Sequence, residues 1–319
     1  MDDTGARHEG HNGYCTAVGN DWFAYFESTD SKSRLNFLTV LRGASDGYAL
    51  NEVTRAYWKR PQLSQEVLAS LSAGPQLFTC TAAWQAGLAA AGVTTARHIL
   101  IATDGALLGQ LIAQGVSPLL MILSAGAPPF DILVHASCWV QAERPLARAI
   151  PYTEAHRSAR EQVRQQLWDL YQDLKAYRAQ PNRRDQAGLE ARFDRLVGQQ
   201  TDYPTTIGAA LKEMRGHKAD LLRVLERPEV PLHNNGTESI SRGYVKTRKI
   251  SGSTGSAAGR RCRDTFASLK KTCRKLGVSF WEYLKDRLAD LGKFPRLADL
   301  IRQRAAAGQD AGIAEAVPA

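Results

Sequence analysis

Apolar and polar positions along the chain separate a strand-rich opening, a mixed middle and a helical remainder. Residues 12–20 (NGYCTAVGN) and 21–27 (DWFAYFE) are rich in strand formers and meet at the turn signal Gly19-Asn20-Asp21. Residues 4–8 precede them at hairpin distance, which predicts a small antiparallel sheet of three strands. Leu35, Phe37, Leu38 and Leu41 then recur at helical spacing within 31–41. Gly and Pro break 43–115 into short Ala/Leu-rich pieces that read as an insertion. Residues 119–123 (LLMIL) follow Pro118 and stop at Ser124-Ala125-Gly126-Ala127-Pro128-Pro129, the form of a central strand covered on both faces. Residues 99–102 (ILIA), ending at Thr103-Asp104-Gly105, compete for that role.

Beyond Pro151 the pattern is helical. Val163, Leu167, Leu170, Leu174 and Tyr177 form one apolar stripe on a polar helix, and Pro181-Asn182 breaks it before a second helix at 189–197. Such a stripe is read as packing, and the two helices as an antiparallel pair. Residues 212–225 predict a further helix closed by Pro228; Phe266, Leu269, Cys273 and Leu276 mark another, and 280–291 one more. The last fifteen residues read as frayed, and no internal repeat is visible.

Composition narrows the class. At 44% hydrophobic and 23% charged residues, the 319-residue chain can bury a large core. No apolar run approaches the ~18 residues of a membrane span, and the opening MDDTGARHEGHNG is too polar for a secretory signal. Five cysteines, odd in number and without a CxxC pair, argue against a disulfide framework and for a reducing cytoplasm.

The charge is concentrated. Residues 242–275 hold 11 Lys/Arg and one acid, Asp264, a net +10, while the remainder carries −1 of the overall +9. Gly, Ser and Ala fill 251–259, where backbone can approach a partner closely. Arg242, Lys246, Arg248, Lys249, Arg260, Arg261 and Arg263 are the expected contacts to a polyanion, with affinity from counterion release. Just upstream, LHNNGTE reads as a turn feeding a helix that Asn235 or Thr237 caps, with Glu238 in its first turn and Arg242 on the same face. An acid beside such a surface suits metal-dependent phosphoryl transfer.

Other candidates weigh less. His135 and Cys138 offer two metal-capable groups at close spacing, with no second pair to complete a zinc module. Trp139 reads as core, with stacking on an unpaired base as the functional alternative. His8, His11 and His233 stand in no triad order with a Ser or Cys.

The run LHNNGTES…RGYVKTRKISG, followed by RDTFASLKKTCRKLGVSFWEYL, resembles the C-terminal half of the insertion-sequence-sixty-six family of bacterial transposases. HASCWVQAERPL resembles that family's Cys-Trp-x-His-Ala-x-Arg block, with Gln141 in place of its His, and MDDTGARH its first-aspartate block. The resemblance extends from Asp2 to about residue 300. It implies an α/β, ribonuclease-H-like mixed sheet flanked by helices, with inserted helical segments. It also implies a DDE-type centre in which two Mg²⁺ ions drive DNA strand cleavage and transfer at insertion-sequence ends.

Carried over by motif, the first acid is Asp2, with Asp3 its neighbour, and the third is Glu238; both are expected metal ligands and catalytic groups. The family pattern after the apolar strand is Ser-Asp, and here it is Ser124-Ala125, so the second acid is replaced and catalysis impaired. Asp131 is a poor substitute, and Asp104 is the middle acid only if 99–102 is the strand. The expected division is 1–42 (first part of the core), 43–118 (insertion), 119–150 (central strand and helix), 151–226 (helical insertion), 227–290 (third acid and basic stretch) and 291–319 (tail). Because Asp2 lies within the family's first strand, the chain reads as N-terminally truncated. Two alternatives accompany the transposase reading: a non-catalytic DNA-binding remnant that co-assembles with an intact transposase, and a nuclease using Asp104. DNA is the expected partner, self-association an accompanying expectation, and the nucleoid the expected location when bound.

Overall fold

A computed structural model describes residues 1–60, 63–199 and 204–315, with the side chains of 204, 205 and 308–315 outside the description. In chain order the elements are β1 (Asp2–His8), β2 (His11–Gly19), β3 (Ala24–Thr29), α1 (Arg34–Arg42), β4 (Tyr48–Ala49), α2 (Glu52–Lys59), α3 (Gln65–Ala73), β5 (Leu77–Phe78), α4 (Thr81–Ala90) and α5 (Ala96–Ala113). Then come β6 (Met121–Ser124), β7 (Val134–Ser137), α6 (Trp139–Arg148), α7 (Glu154–Ala179), α8 (Arg183–Gly198), α9 (Ala209–Gly216), α10 (Lys218–Leu221) and α11 (Arg223–Glu226). The last four are α12 (Asn235–Ser251), α13 (Ala257–Lys275), α14 (Phe280–Leu288) and α15 (Leu297–Glu315). This mixed α/β chain forms two compact units, one of residues 1–31 with 234–319 and one of residues 32–233.

In the first unit the predicted antiparallel sheet is present in the order β1-β2-β3. The register pairs Asp2 with Ala17 and Ala17 with Phe26, and cross-strand partners share a face. That face carries Ala6, Cys15, Ala17, Ala24 and Phe26, and α12 covers it with Ile240 and Tyr244. The Phe26 and Tyr244 rings stack at 5.1 Å. Helix α13 closes the outer edge of β3. The N–H groups of Ser28, Phe26 and Ala24 donate to Asp264 Oδ2, Ser268 Oγ and Thr272 Oγ1 at 2.8, 2.9 and 3.1 Å. Four residues of helix rise about 6 Å and two of strand about 6.7 Å, so one helix face meets every second edge N–H. The edge is thereby withdrawn from pairing with another chain. Cys273, Leu276, Tyr283 and Leu297 form a second small core.

Two expectations are corrected in this unit. The helix expected after LHNNGTE is α12, but it starts from Asn234 without a side-chain cap bond, and neither Asn235 nor Thr237 caps it. The end of the chain, expected to fray, is helical to Glu315, and 316–319 lie outside the described residues.

The second unit is mainly helical. Leu167, Leu170, Leu174, Phe193, Leu211, Leu221 and Trp139 belong to one of its cores, so the stripe on α7 packs against α8 as predicted. The stretch 212–225 is broken into α9, α10 and α11 rather than one helix. Residues 99–102 are not a strand: they lie in α5, which is buried from Ile101 to Gly109. Gly105 and Gly109, one turn apart, meet Trp58 and Thr54 so closely that no Cβ fits at either position. The parallel pair β6–β7 is the strand that 119–123 predicts, shifted to Met121–Ser124.

Candidate functional site

Within the first unit, Asp2 lies on the sheet face that α12 covers. Asn234 Nδ2 reaches the Met1 carbonyl at 3.5 Å, and the Glu238 N–H donates to the Asn234 carbonyl. The start of β1 and the first turn of α12 therefore adjoin, and Asp2 and Glu238 belong to the same end of this layer. The Glu238 side chain is only 12% exposed and accepts from Arg242 Nη2 at 3.2 Å. Asp3 faces the other way, where it accepts from Thr16 Oγ1 at 2.7 Å.

The basic stretch sorts by exposure. Lys246, Lys249 and Arg261 are exposed and make no ion pair among the described residues. Arg242 is exposed but pairs with Glu238. Arg248 donates to the Gly5 carbonyl, and Arg260 pairs with Asp30 at 2.8 Å. Arg263 is a correction. Its side chain is 9% exposed, lies over the Tyr244 ring and sits beside Asp264, so it packs the core rather than facing a ligand. On α13, burial and the charges of Arg274, Lys270 and Lys275 push the Lys271 ammonium below its ordinary pKa, a sign of a concentrated positive field.

The second unit holds the candidates for a middle acid. Position 125, directly after β6, is alanine and offers no ligand oxygen. Asp104 lies in the interior of α5, 5% exposed, with the Tyr57 hydroxyl at 3.4 Å and one carboxylate oxygen unpartnered. Burial raises its pKa to about 6, partly offset by Arg34 and by the Tyr57 hydrogen bond. A carboxyl so enclosed is not presented to a phosphodiester. Trp139 is fully buried and donates to the Leu221 carbonyl at 2.8 Å, which settles its packing role.

A cluster that sequence reasoning missed lies at the β6–β7 pair. His135, 4% exposed, is held at both ring nitrogens, with Nε2 2.8 Å from Ser124 Oγ and Nδ1 3.0 Å from Asp220 Oδ2. Asp131 completes a group of three whose ligand-capable atoms all lie within 4.8 Å of one another. Burial pushes the Asp220 pKa up, but the His135 hydrogen bond and the charges of His135, Arg223 and His217 outweigh it and leave it below the ordinary value. Ser124, His135 and Asp220 repeat the hydrogen-bond order of an acyl-transfer triad. Ser124 is fully buried, however, and Oγ already accepts from the Gly126 N–H at 3.1 Å, so no substrate reaches it. The sequence marked His135 as metal-capable beside Cys138, and Asp131 only as a poor middle acid; Asp220 is 85 residues further on.

A profile described as Transposase IS66 family matches residues 130–261. An uncharacterized protein of Sinorhizobium fredii, y4jO, is 37% identical over 291 residues, covering 90% of this chain and 90% of that protein. The chain belongs to the IS66 family of transposases. In this IS66 chain the matched stretch takes in Asp131, His135, Asp220, Glu238 and the basic residues from Arg242 to Arg261, while Asp2, Ala125 and Arg263 lie outside it. No solved structure matches the chain. No described helix is long and apolar enough to cross a membrane.

Proposed function

We propose that this IS66-family chain is a DNA-binding transposase derivative with a ribonuclease-H-like core, impaired in strand cleavage because Ala125 stands at the second metal-binding acid. What carries the reading is α12. It brings Glu238 to the end of the layer that holds Asp2, and further along presents the exposed, unpaired Lys246 and Lys249. Lysines on an open face bind the backbone of any DNA, and insertion-sequence ends are the substrate that the family implies.

The donor set does not fit the family's two-ion centre. Mg²⁺ would supply Lewis-acid activation of the attacking and leaving oxygens, but the sequence offers only Asp2 and Glu238 as the first and third acids, and Ala125 at the second has no ligand oxygen.

The test is nicking of supercoiled plasmid by the purified chain in Mg²⁺ or Mn²⁺. No nicking is expected from the unmodified chain, and Ala125→Asp is expected to introduce it. Cleavage by the unmodified chain that vanishes in Glu238→Gln would overturn the proposal.

A further inference from the structure

The cluster on β6–β7 has a composition that acid-only DDE chemistry does not use. We propose that Asp131, His135 and Asp220 bind one divalent transition-metal ion of the Zn²⁺ class, through His135 Nδ1 and one oxygen of each carboxylate. The site lies wholly within the unit of residues 32–233 and uses neither Asp2 nor Glu238, so it stands independently of the transposase reading.

Five observations support it. The three groups come from separate places in the chain, the turn after Phe130, strand β7 and helix α10, yet their ligand atoms fall within 4.8 Å. Next, the imidazole is pre-oriented: it is 4% exposed, and Ser124 Oγ lies 2.8 Å from Nε2. Metal-binding histidines are usually held in this way through the second nitrogen. A hydroxyl both donates and accepts, so Ser124 can donate to a bare Nε2 when Nδ1–H faces Asp220, or accept from Nε2–H when Nδ1 turns its lone pair to a metal. Ion entry alters the tautomer without breaking the contact.

The charge is also suitable. Two carboxylates offset a 2+ ion, and Arg223 Nη2, 3.6 Å from Asp220 Oδ1, anchors the oxygen on the far side of that carboxylate. Asp131 is exposed, which leaves the ion a route from solvent. His217 Nδ1, 3.7 Å from Asp220 Oδ2, is a further nitrogen beside the cluster. An imidazole with two carboxylates suits Zn²⁺, Co²⁺, Ni²⁺ or Mn²⁺ and disfavours Mg²⁺, which takes oxygen ligands.

The full chain, stripped with chelator, would be titrated with ZnCl₂ by calorimetry and with CoCl₂ by visible absorption. About one ion per chain is expected. The Co²⁺ bands should be those of a site with nitrogen and oxygen ligands, and bound Zn²⁺ should resist about a hundredfold excess of Mg²⁺. Asp131→Asn is the key variant, since the residue is exposed and its loss leaves the core intact; circular dichroism would verify its fold. It should weaken Zn²⁺ binding by at least about tenfold, and Ser124→Ala by a similar factor through misplacement of the ring. Absence of saturable binding, affinity unchanged in Asp131→Asn, or displacement of Zn²⁺ by Mg²⁺ would each overturn the site.

Discussion

A carboxyl group in the middle of a buried helix is at odds with its surroundings, and Asp104 shows how the chain resolves that conflict. Its pKa rises to about 6, from the ordinary 3.8, because burial penalises the charge more than Arg34 and the Tyr57 hydroxyl stabilise it. The folded state therefore holds the Asp104 proton between pH 4 and 6 where the unfolded chain has released it. Stability falls as pH rises through that window, and above it the charged form costs on the order of 2–3 kcal/mol. Asp104→Asn should remove this penalty and raise the melting temperature more at pH 8 than at pH 4.5; equal shifts at both pH values would show that Asp104 does not titrate in this way. At this scale the sequence was informative where a residue sat in a linear motif. Asp2, Glu238 and the cationic residues around Lys246 could be put forward as candidates because their sequence neighbours mark them. Asp220 could not, since only folding brings it to His135, and Arg263 reads like its neighbours until the Tyr244 ring is seen beneath it.

Elements were legible where one apolar period dominated. The β1–β2–β3 sheet and the stripe of α7 follow directly from alternation and from three-four spacing. Helix α5 was ambiguous because ILIA followed by a Gly-containing turn signal is also how a buried strand ends. What decides is that Gly105 and Gly109 fall on one helical face and admit Trp58 and Thr54. The contact between α13 and β3 was invisible, since Asp264, Ser268 and Thr272 look like ordinary polar positions of a basic helix. Thr272 has the most to lose there. Its hydroxyl accepts from the Ala24 N–H at 3.1 Å and donates to the Ala24 carbonyl at 3.0 Å, and the residue is 5% exposed. Thr272→Val keeps the shape and leaves both backbone groups buried without partners, a loss of about 1–3 kcal/mol for each. Urea unfolding should show a lower midpoint at unchanged slope. An unaltered midpoint would mean that water replaces the hydroxyl and that the edge of β3 does not depend on α13.

On the scale of the whole molecule, the chain carries all of its surplus charge in about one tenth of its length, and folding places that stretch on α12 and α13 of a single unit. Folding also thins it, because Arg248, Arg260 and Arg263 are committed to protein partners. The cations free to replace DNA counterions are therefore fewer than the sequence count, and Lys246, Lys249 and Arg261 lead them. Lys246→Glu with Lys249→Glu should weaken binding to every DNA sequence alike, since phosphate contacts carry no base information. Each lost contact should reduce the slope of log affinity against log salt by about one unit. The effect should also shrink at high salt, where counterion release contributes least. Arg263→Gln is the contrasting variant: its predicted consequence is lower stability with an unchanged salt slope, because the guanidinium stacks on Tyr244 inside the fold. If filter binding across salt concentrations instead showed the two lysines to be silent and Arg263 decisive, the DNA face would not be the exposed side of α12, and the assignment of function to that helix would have to be abandoned.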